Sequence, residues 1–371
     1  MAKLGDIATY INGYAFKPQD WSDEGIPIIR IQDLTGNSYQ ANRYNGEYAS
    51  KYEVNDGDVL ISWSASLGVY IWHGEKAVLN QHIFKVVFDK ERISKDFFVH
   101  QVGLILENAA SDAHGATMKH LTKPVFDALP FYLPPYEKQC EIAEVLDKVT
   151  SLISLRKQQL AKLDELVKVQ FVEMFGDPVV NSKKWPVETI ENHIDLLTGF
   201  PFDSSGYVSK GVNICGGLII MPQKIDWSAC KHWPQITGYE DYILRPNDIV
   251  IALDRPWISN GFKIAMVDRE HLPALLIQRT ARIRAVDINQ HYLMQSLLLG
   301  RFDKHCNITG SLVPHISPKD IKSYSVMIPP IELQNQFSTF VERVDQQKQI
   351  VQQSLEKLEL MKKALMQEYF G

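Results

Sequence analysis

The sequence predicts an α+β protein with an internal pseudo-two-fold repeat. Two α/β globular domains are each followed by one long α-helix, and the two helices pack as an antiparallel coiled coil. The main observation is a gapless repeat: residues 133–176 align with residues 328–371, and 13 of the 44 aligned pairs are identical. The stretches before the two copies also resemble each other. A chain that repeats one plan typically binds a partner or ligand that is itself two-fold.

Each repeated segment has the pattern of one long amphipathic helix. The copies open with Leu133-Pro134-Pro135 and Ile328-Pro329-Pro330, which suit a first helical turn because its N–H groups lack intrahelical partners. Apolar residues then recur at helical spacing, and both copies end in Phe-Gly, where glycine accepts the left-handed C-cap conformation. Some forty residues make a helix of about 60 Å. We therefore predict that the two helices pack against each other. The alternative is two independent helices, each packed on its own domain.

The two globular stretches contain corresponding segments. Leu4 to Phe16 resembles Ile190 to Phe202, and Gly57 to Ser62 resembles Asn247 to Ala252. Short β-branched runs bounded by Gly, Asp, Asn or Pro predict strands at Ile26 to Ile31, Asp58 to Ser62, Phe84 to Phe88, Asp248 to Leu253 and Lys263 to Val267. Helices are predicted over 95–107 and 288–300. The predicted segments are a first domain (1–132), a first helix (133–176), a second domain (177–327) and a second helix (328–371).

Composition argues against several classes of protein. A net charge of −5 and a pI of about 6.1 lack the basic character of a protein that binds nucleic acid alone. The four cysteines have no metal-binding spacing, which predicts free thiols in a reducing compartment and no metal site. The sequence shows no signal peptide or membrane span, so we expect a cytoplasmic protein. No phosphate-binding, dinucleotide-binding or nucleophile-elbow motif occurs, and we expect no catalytic residue.

On these features the chain resembles the specificity (S) subunit of type I restriction-modification systems. The resemblance rests on the duplicated helix pattern I/L-P-P-x-E-x-Q to F-G, and on the domain openings Leu4-Gly5-Asp6-Ile7 to Gly13-Tyr14-Ala15-Phe16 and Gly57-Asp58-Val59-Leu60. It covers essentially the whole chain. The second domain departs from the pattern at Gly216-Gly217-Leu218, where the first has Arg30-Ile31-Gln32.

The resemblance implies a non-catalytic DNA-recognition subunit of a phage-defence complex. Each domain would be a target recognition domain for one half of a bipartite double-stranded DNA target, and the helices would set the spacing. Two methyltransferase (M) subunits and two motor-nuclease (R) subunits would supply the chemistry with S-adenosylmethionine, ATP and Mg²⁺, so no cofactor is expected in this chain. Two alternatives stay open: the specificity subunit of a fused restriction-methylation enzyme that cuts on both sides of its site, and a non-catalytic coiled-coil scaffold with two binding modules.

Candidate DNA-contacting residues are polar, aromatic or basic side chains in loops, because Arg reads guanine and Asn or Gln reads adenine. In the first domain they are Lys17, Arg30, Gln32, Lys51, Trp63, Ser64, Ser66, Gln81, His82, Thr117, Lys119 and His120. In the second they are Lys210, Asp254, Arg255, Trp257, Ser259, Asn260, Lys263, Gln278, Arg279, Ser311 and His315.

Several of these candidates have a structural alternative. Trp63 and Trp257 could be core aromatics, His120 and His315 could stabilise loops by hydrogen bonds, and Arg255 could form an ion pair with Asp254. Apolar helix residues expected to bind partner subunits are Val145, Val149, Leu163, Leu166, Val344, Val351, Leu358 and Leu365.

Overall fold

The computed structural model describes residues 1–37, 42–112, 122–308 and 314–371 and divides into two compact units. Unit 1 comprises Met1–Lys157 and Gln353–Gly371, and unit 2 comprises Gln158–Gln352. The first long helix spans Tyr136–Phe175 and the second spans Ile331–Phe370. Each unit therefore contains the start of one long helix and the end of the other. This mixed fold with two long helices confirms the predicted fold class.

The same four-stranded antiparallel sheet occurs in both units. In unit 1 the strand order is Thr9–Asn12, Ile83–Val87, Val59–Ser62 and Gly68–Ile71. In unit 2 it is Ile194–Thr198, Thr280–Ala285, Ile249–Ala252 and Ile264–Met266. The third strand of each order is buried at every residue, which explains its continuous apolar sequence.

A second sheet in each unit contains one parallel pair of strands. In unit 1 the order is Arg43–Tyr44, Ile26–Ile29, Ala77–Leu79 and Glu53–Val54, and in unit 2 it is Lys231–Trp233, Val212–Cys215 and Ala274–Leu276. The strand Ala77–Leu79 continues through three residues into the four-stranded sheet of unit 1, and Ala274–Leu276 does the same in unit 2. A short loop thus joins the two sheets in each unit.

Shorter elements complete the units. Unit 1 contains the helices Leu4–Ile7, Ile31–Leu34, Lys95–Asp112 and Lys123–Asp127, and the strand pair Ala2–Lys3 with Pro130–Phe131. Unit 2 contains the helices Gln290–Leu299, Phe302–His305 and Pro318–Lys322, and the strand pairs Val187–Thr189 with Ser325–Met327, Ile220–Met221 with Lys224–Ile225 and Trp257–Ile258 with Gly261–Phe262. Within the described ranges, no helix has the length and apolar character needed to cross a bilayer.

One predicted strand was too long. The run from Ile26 to Ile31 is extended only as far as Ile29, and a helical turn follows at Ile31–Leu34. The Arg30 N–H donates to the Asp33 carboxylate at 2.8 Å, which caps that turn. Asp33, three residues after Arg30, was the local signal for this turn, but the β-branched run favoured a longer strand.

The two long helices pack antiparallel within each unit. In unit 1, Lys157 pairs with Glu359 at 3.0 Å, so a residue of the first helix meets the last part of the second. In unit 2, the rings of Phe171 and Phe337 lie 5.5 Å apart, so the end of the first helix meets the start of the second. The predicted packing of the two copies against each other is confirmed.

The helix ends agree with the sequence prediction in part. The motif prolines precede the helices instead of occupying their first turn: the Pro135 and Pro330 carbonyls accept the first helical N–H bonds, at 3.1 and 3.2 Å. At the other end of the first helix, Gly176 has a φ of +82°, as the left-handed C-cap requires.

A buried glutamine in each motif joins the long helix to the domain before it. Gln139 and Gln334 are each 1% exposed. The amide nitrogens donate to the carbonyl of the first motif proline, at 2.9 and 2.8 Å. The amide oxygens accept from the Ser94 N–H at 2.9 Å and from the Asn289 N–H at 2.8 Å. Because every strong hydrogen-bonding group of this contact is satisfied, it fixes the direction in which each helix leaves its domain.

The repeated Phe-Gly ending also has a packing role. In unit 2 the ring of Phe175 lies 4.7 Å from Tyr292, on the helix Gln290–Leu299. In unit 1 the ring of Phe370 lies 5.4 Å from Phe97, on the helix Lys95–Asp112. The end of each long helix therefore packs against the domain helix of the unit that contains it.

Candidate nucleic-acid interface

Two loops at one end of the four-stranded sheet carry many of the candidate residues in each unit. In unit 1 they are residues 63–67 and 80–82, and in unit 2 they are residues 253–256 and 277–279. The antiparallel register pairs Ser62 with Ile83 and Ala252 with Thr280, so the end of one strand lies beside the start of the next. Candidates far apart in sequence are thereby brought together.

Each of these loops contains a non-glycine residue with positive φ. The values are +59° at Ala65 and +71° at His82 in unit 1, and +46° at Arg255 and +62° at Arg279 in unit 2. Such conformations are uncommon and persist where the surrounding structure holds them, often at binding sites. A backbone hydrogen bond joins the two loops in each unit, at 3.3 and 2.9 Å. The same pair of strained loops in both units marks this end of the sheet as the candidate site.

In each unit a third segment, which contains Gly13 or Gly199, packs closely against the second of these loops. A Cβ atom at Gly13 or Gly199 would lie 2.0 Å from a backbone carbonyl oxygen of the adjacent loop, so only glycine fits at either position. The N–H groups of Gln81 and Gln278 donate at 2.8 Å to the carbonyl of the residue after the glycine. The Asn-Gly and Thr-Gly steps of the sequence repeat are explained by this contact.

In unit 1, the candidates in these loops differ in exposure and in the contacts they make. Trp63 is half-buried: its Nε1–H donates to the Asn12 amide oxygen at 3.1 Å, and its ring lies 5.0 Å from that of His82. Ser64 is 7% exposed, and its role as a DNA contact stays a prediction. Ser66 is exposed.

Two further candidates in unit 1 lie beside aromatic rings. The Arg30 guanidinium donates to the Gln32 amide oxygen at 2.8 Å and lies 5.1 Å from the centre of the Trp21 ring, an attractive cation–π arrangement. The Lys51 ammonium lies 4.9 Å from the ring of Tyr52. Trp21 is 41% exposed and was not a sequence candidate, since only the fold brings it beside Arg30. Lys17 is also exposed.

In unit 2, one carboxylate organises the candidate loops. Asp254 Oδ1 lies 2.7 Å from His315 Nδ1, and its Oδ2 lies 3.3 Å from the Arg279 guanidinium. The alternative ion pair with Arg255 is not formed; the Arg255 N–H instead donates to the Pro314 carbonyl at 2.7 Å. The Arg279 side chain is 73% exposed, so most of its donors remain accessible to a ligand.

Two predicted contacts in unit 2 have partners within the unit. Lys263 is 7% exposed and its ammonium donates to the Gly217 carbonyl, and its role as a DNA contact stays a prediction. Burial, aided by the nearby Arg255 charge, lowers the pKa of Lys263. Trp257 is half-buried and stacks on Phe262 at 4.9 Å.

Of the remaining candidates, some are exposed and others lie outside the described residues. Ser259 and Asn260 are exposed between the paired strands Trp257–Ile258 and Gly261–Phe262, and Lys210 and Gln278 are also exposed. Thr117, Lys119, His120 and Ser311 lie outside the described residues.

The expected partner-binding residues on the helices differ in how exposed they are. Val149, Val344 and Val351 are buried, at 6%, 4% and 6% exposed, and their role in binding a partner stays a prediction. Leu163, Leu358 and Leu365 are half-buried. Val145 and Leu166 are 37% and 43% exposed and stay predictions. In the part of the chain that the structure describes, no three His, Cys, Asp or Glu side chains are grouped to hold a metal ion.

Two similar units, each presenting a pair of strained loops and joined through long antiparallel helices, define a two-site recognition protein. The family model described as "Type I restriction modification DNA specificity domain" matches residues 1–165 and 236–360. The chain belongs to this family and is a type I restriction-modification specificity subunit with two DNA-recognition domains.

Individual relatives agree with this assignment. The chain is 25% identical to the type I restriction enzyme MjaVIII specificity subunit of Methanocaldococcus jannaschii, over 99% of this chain and 90% of that protein. It is 26% identical to the EcoAI specificity subunit of Escherichia coli, over 72% of this chain and 44% of that protein. Its fold is similar to the S subunit of the M. genitalium type I system, with a TM-score of 0.58 and 13% identity over 100% of this chain and 95% of that one.

Proposed function

We propose that this chain is the non-catalytic subunit that selects the DNA target of a type I restriction-modification complex, with each unit contacting one half of a bipartite sequence. The observation that carries the proposal is the pair of strained loops that recurs at the same end of the same sheet in both units. A repeated recognition element in one chain matches a target with two separate half-sites.

The exposed side chains at these loops have the chemistry needed to contact DNA bases. Unit 2 offers the guanidinium of Arg279 and the imidazole of His315, both oriented by Asp254. Unit 1 offers the half-buried Gln81 and the exposed Ser66. Arginine pairs with the guanine edge and glutamine with the adenine edge in the major groove, and each good pair contributes about 1–3 kcal/mol of discrimination.

Phosphate contacts would position the chain without selecting sequence. Arg30 and Lys51 are suited to this role because both are positively charged, and each lies beside an aromatic ring in unit 1. The net charge of −5 leaves much of the phosphate neutralisation to partner subunits. The proposal therefore includes two M subunits, which use S-adenosylmethionine to methylate adenine, and two R subunits, which use ATP and Mg²⁺, acting with this chain in the cytoplasm.

The test is methylome sequencing of a host with the gene intact, deleted, or carrying Arg279→Gln. We expect a split motif with a methylated adenine in each half, which disappears on deletion. We expect Arg279→Gln to change base preference in one half only, by about 10-fold or more at one position. Lys304→Gln, at an exposed lysine outside the loops, is the matched control and leaves the motif unchanged. An unaltered methylome on deletion, repeated with the partner subunits co-expressed, would refute the proposal.

A further inference from the structure

A short loop in unit 2 presents a leucine beside the candidate DNA loops. Residues 216–218, here called the glycine loop, follow the strand Val212–Cys215. Leu218, the last of them, is 89% exposed, and among the described residues only Met1 is a more exposed large apolar side chain. Scattered exposed apolar residues are ordinary on protein surfaces, so exposure alone assigns no role to Leu218. The argument for a role comes from its position and from the way its backbone is held.

The glycine loop packs against the end of the sheet that carries both candidate loops of unit 2. A Cβ atom at Gly217 would lie 3.5 Å from the Ala252 Cβ atom, at the end of the strand that leads into the first candidate loop. It would lie 3.9 Å from the carbonyl oxygen of Arg279, in the second candidate loop. Leu218 is the next residue, and its Cα atom is about 3.8 Å from that of Gly217. The leucine therefore borders the site that presents Arg279.

The backbone is anchored on both sides of Leu218. The Gly217 carbonyl accepts a hydrogen bond from the ammonium of Lys263, which is 7% exposed. A buried ammonium needs such an acceptor because it has lost its hydration, so this bond fixes the carbonyl. On the other side, the N–H group of Ile219 donates to the Gly216 carbonyl at 3.1 Å, and the Ile219 side chain is 4% exposed. Leu218 thus projects from an ordered backbone, which lowers the entropy cost of binding through it.

The matching segment of unit 1 lies in the same place. The Ile29 carbonyl, at the end of the strand before that segment, accepts from the Asn80 N–H at 3.1 Å. The Cys215 carbonyl, at the end of the strand before the glycine loop, accepts from the Ile277 N–H at 3.2 Å. Both donors are the first residues of the second candidate loop in their units. The two units therefore place corresponding segments beside the same loop.

The chemistry of the two segments differs. At the sequence offset of 186, Gln32 corresponds to Leu218 and Arg30 corresponds to Gly216. In unit 1 the Arg30 guanidinium donates to the Gln32 amide oxygen at 2.8 Å, so that segment offers polar groups to a ligand. In unit 2 the same segment offers an aliphatic side chain and two glycines. The two units therefore suit different chemical groups at this place.

We propose that Leu218 selects a thymine in the half-site of unit 2 by packing against its C5-methyl group. That methyl group is the apolar feature that base edges present in the major groove, and an apolar side chain reads it by contact. Leucine has no side-chain donor or acceptor for the other base edges. Burial of the exposed side chain removes apolar surface from water, which favours the contact. The inference rests on the proposed function and deepens it, because it adds a specificity-determining residue and the chemical group that this residue reads.

The test uses the complex of the full chain with the purified M subunit, and DNA duplexes that carry the split target found by methylome sequencing. The half-site of unit 2 is the one that Arg279→Gln alters. Each thymine of that half-site is replaced in turn by deoxyuridine, which lacks only the C5-methyl group. We expect the wild-type complex to bind one of the uracil duplexes about 4-fold more weakly than the thymine duplex, the factor that burial of one methyl group predicts.

Two variants show whether Leu218 causes this difference. Leu218→Gln places the side chain found in unit 1 at an exposed position, so folding should not change, and it should bind the thymine and uracil duplexes equally. Val286→Gln is the matched control, at an apolar residue that is 70% exposed and follows the far end of the strand Thr280–Ala285. It should keep the wild-type difference between the duplexes.

Two outcomes would overturn the inference. The first is a Leu218→Gln complex that keeps the wild-type ratio of thymine to uracil binding, including one that weakens all binding equally, as loss of an unstacking wedge would. The second is weaker association of Leu218→Gln with the M subunit in the absence of DNA, since the leucine would then contact protein. Methylation of the split target by the wild-type complex is scored in parallel. If methylation is present and the ratio does not depend on Leu218, the inference fails alone; if the wild-type complex selects no DNA sequence, the proposed function fails and the inference fails with it.

Discussion

Replacing Gln139 by leucine tests the contact that joins the first long helix to its domain. The side chain is 1% exposed and makes two hydrogen bonds, to the Pro134 carbonyl and from the Ser94 N–H, both at 2.9 Å. Leucine has a similar size, so the cavity it leaves is small, but the two backbone groups lose their partners. Because each unsatisfied buried group costs about 1–3 kcal/mol, we expect the free energy of unfolding of unit 1 to fall by about 2–6 kcal/mol.

Urea unfolding and hydrogen exchange measure this loss separately. The first should show a lower midpoint for unit 1, and the second should show loss of protection at the Ser94 amide. Gln158→Leu, at an exposed glutamine on the same helix, is the control and should change the stability by less than about 0.5 kcal/mol. If Gln139→Leu destabilises the protein no more than Gln158→Leu, the buried hydrogen bonds do not hold the helix to the domain.

Three further predictions follow from the packing and the charges. Phe175→Ala should lower the free energy of unfolding, measured with urea, by about 3–5 kcal/mol because the ring is fully buried. Val172→Ala, at a side chain that is 44% exposed, should lower it much less. Equal losses would contradict the packing role of the Phe-Gly ending. Burial lowers the pKa of His193, but its hydrogen bonds with Asp287 and Glu188 outweigh burial and raise the pKa overall. The stabilisation by charged His193 is therefore complete below its ordinary pKa and lost as the pH rises through the raised pKa. The difference in free energy of unfolding between wild type and His193→Gln should shrink as the pH rises from the ordinary pKa through the raised one. A difference that widens would refute this prediction. A chain truncated after Gly176 lacks residues 353–371 of unit 1, so it should self-associate, as measured by light scattering. Together with the M subunit, it should select a palindromic form of the first half-site. A strictly monomeric half without DNA selectivity would count against the symmetric arrangement.

The repeat was predictable because its two copies can be aligned directly in the sequence, and the helices were predictable because their signals are local. Apolar spacing, the proline pair and the terminal glycine each act within a turn or two of the chain, and the structure places both long helices within three residues of the predicted limits. The strand predictions were correct in position, since β-branched runs are also local. They were wrong in length where a capping aspartate, Asp33, ended the strand run early.

The candidate site was predictable only in outline. Sequence reasoning placed Arg279, Asp254 and His315 in loops, and the fold brings the three together through strand register. It could not distinguish them from Lys263, which has the same polar character but is buried against a backbone carbonyl. Exposure depends on which elements cover a loop, and that information is distributed over the whole unit.

The sequence by itself determined that this protein is a duplicated chain of two α/β domains and two long helices, because helix caps and strand propensities are properties of neighbouring residues and the repeat can be read by comparing two stretches of the sequence. Only the tertiary structure decided that Gln139 and Gln334 are buried connectors and that the same loop pair is strained in both units. These features depend on contacts between residues tens of positions apart, whose partners are set by the packing of the elements and not by their spacing in the chain.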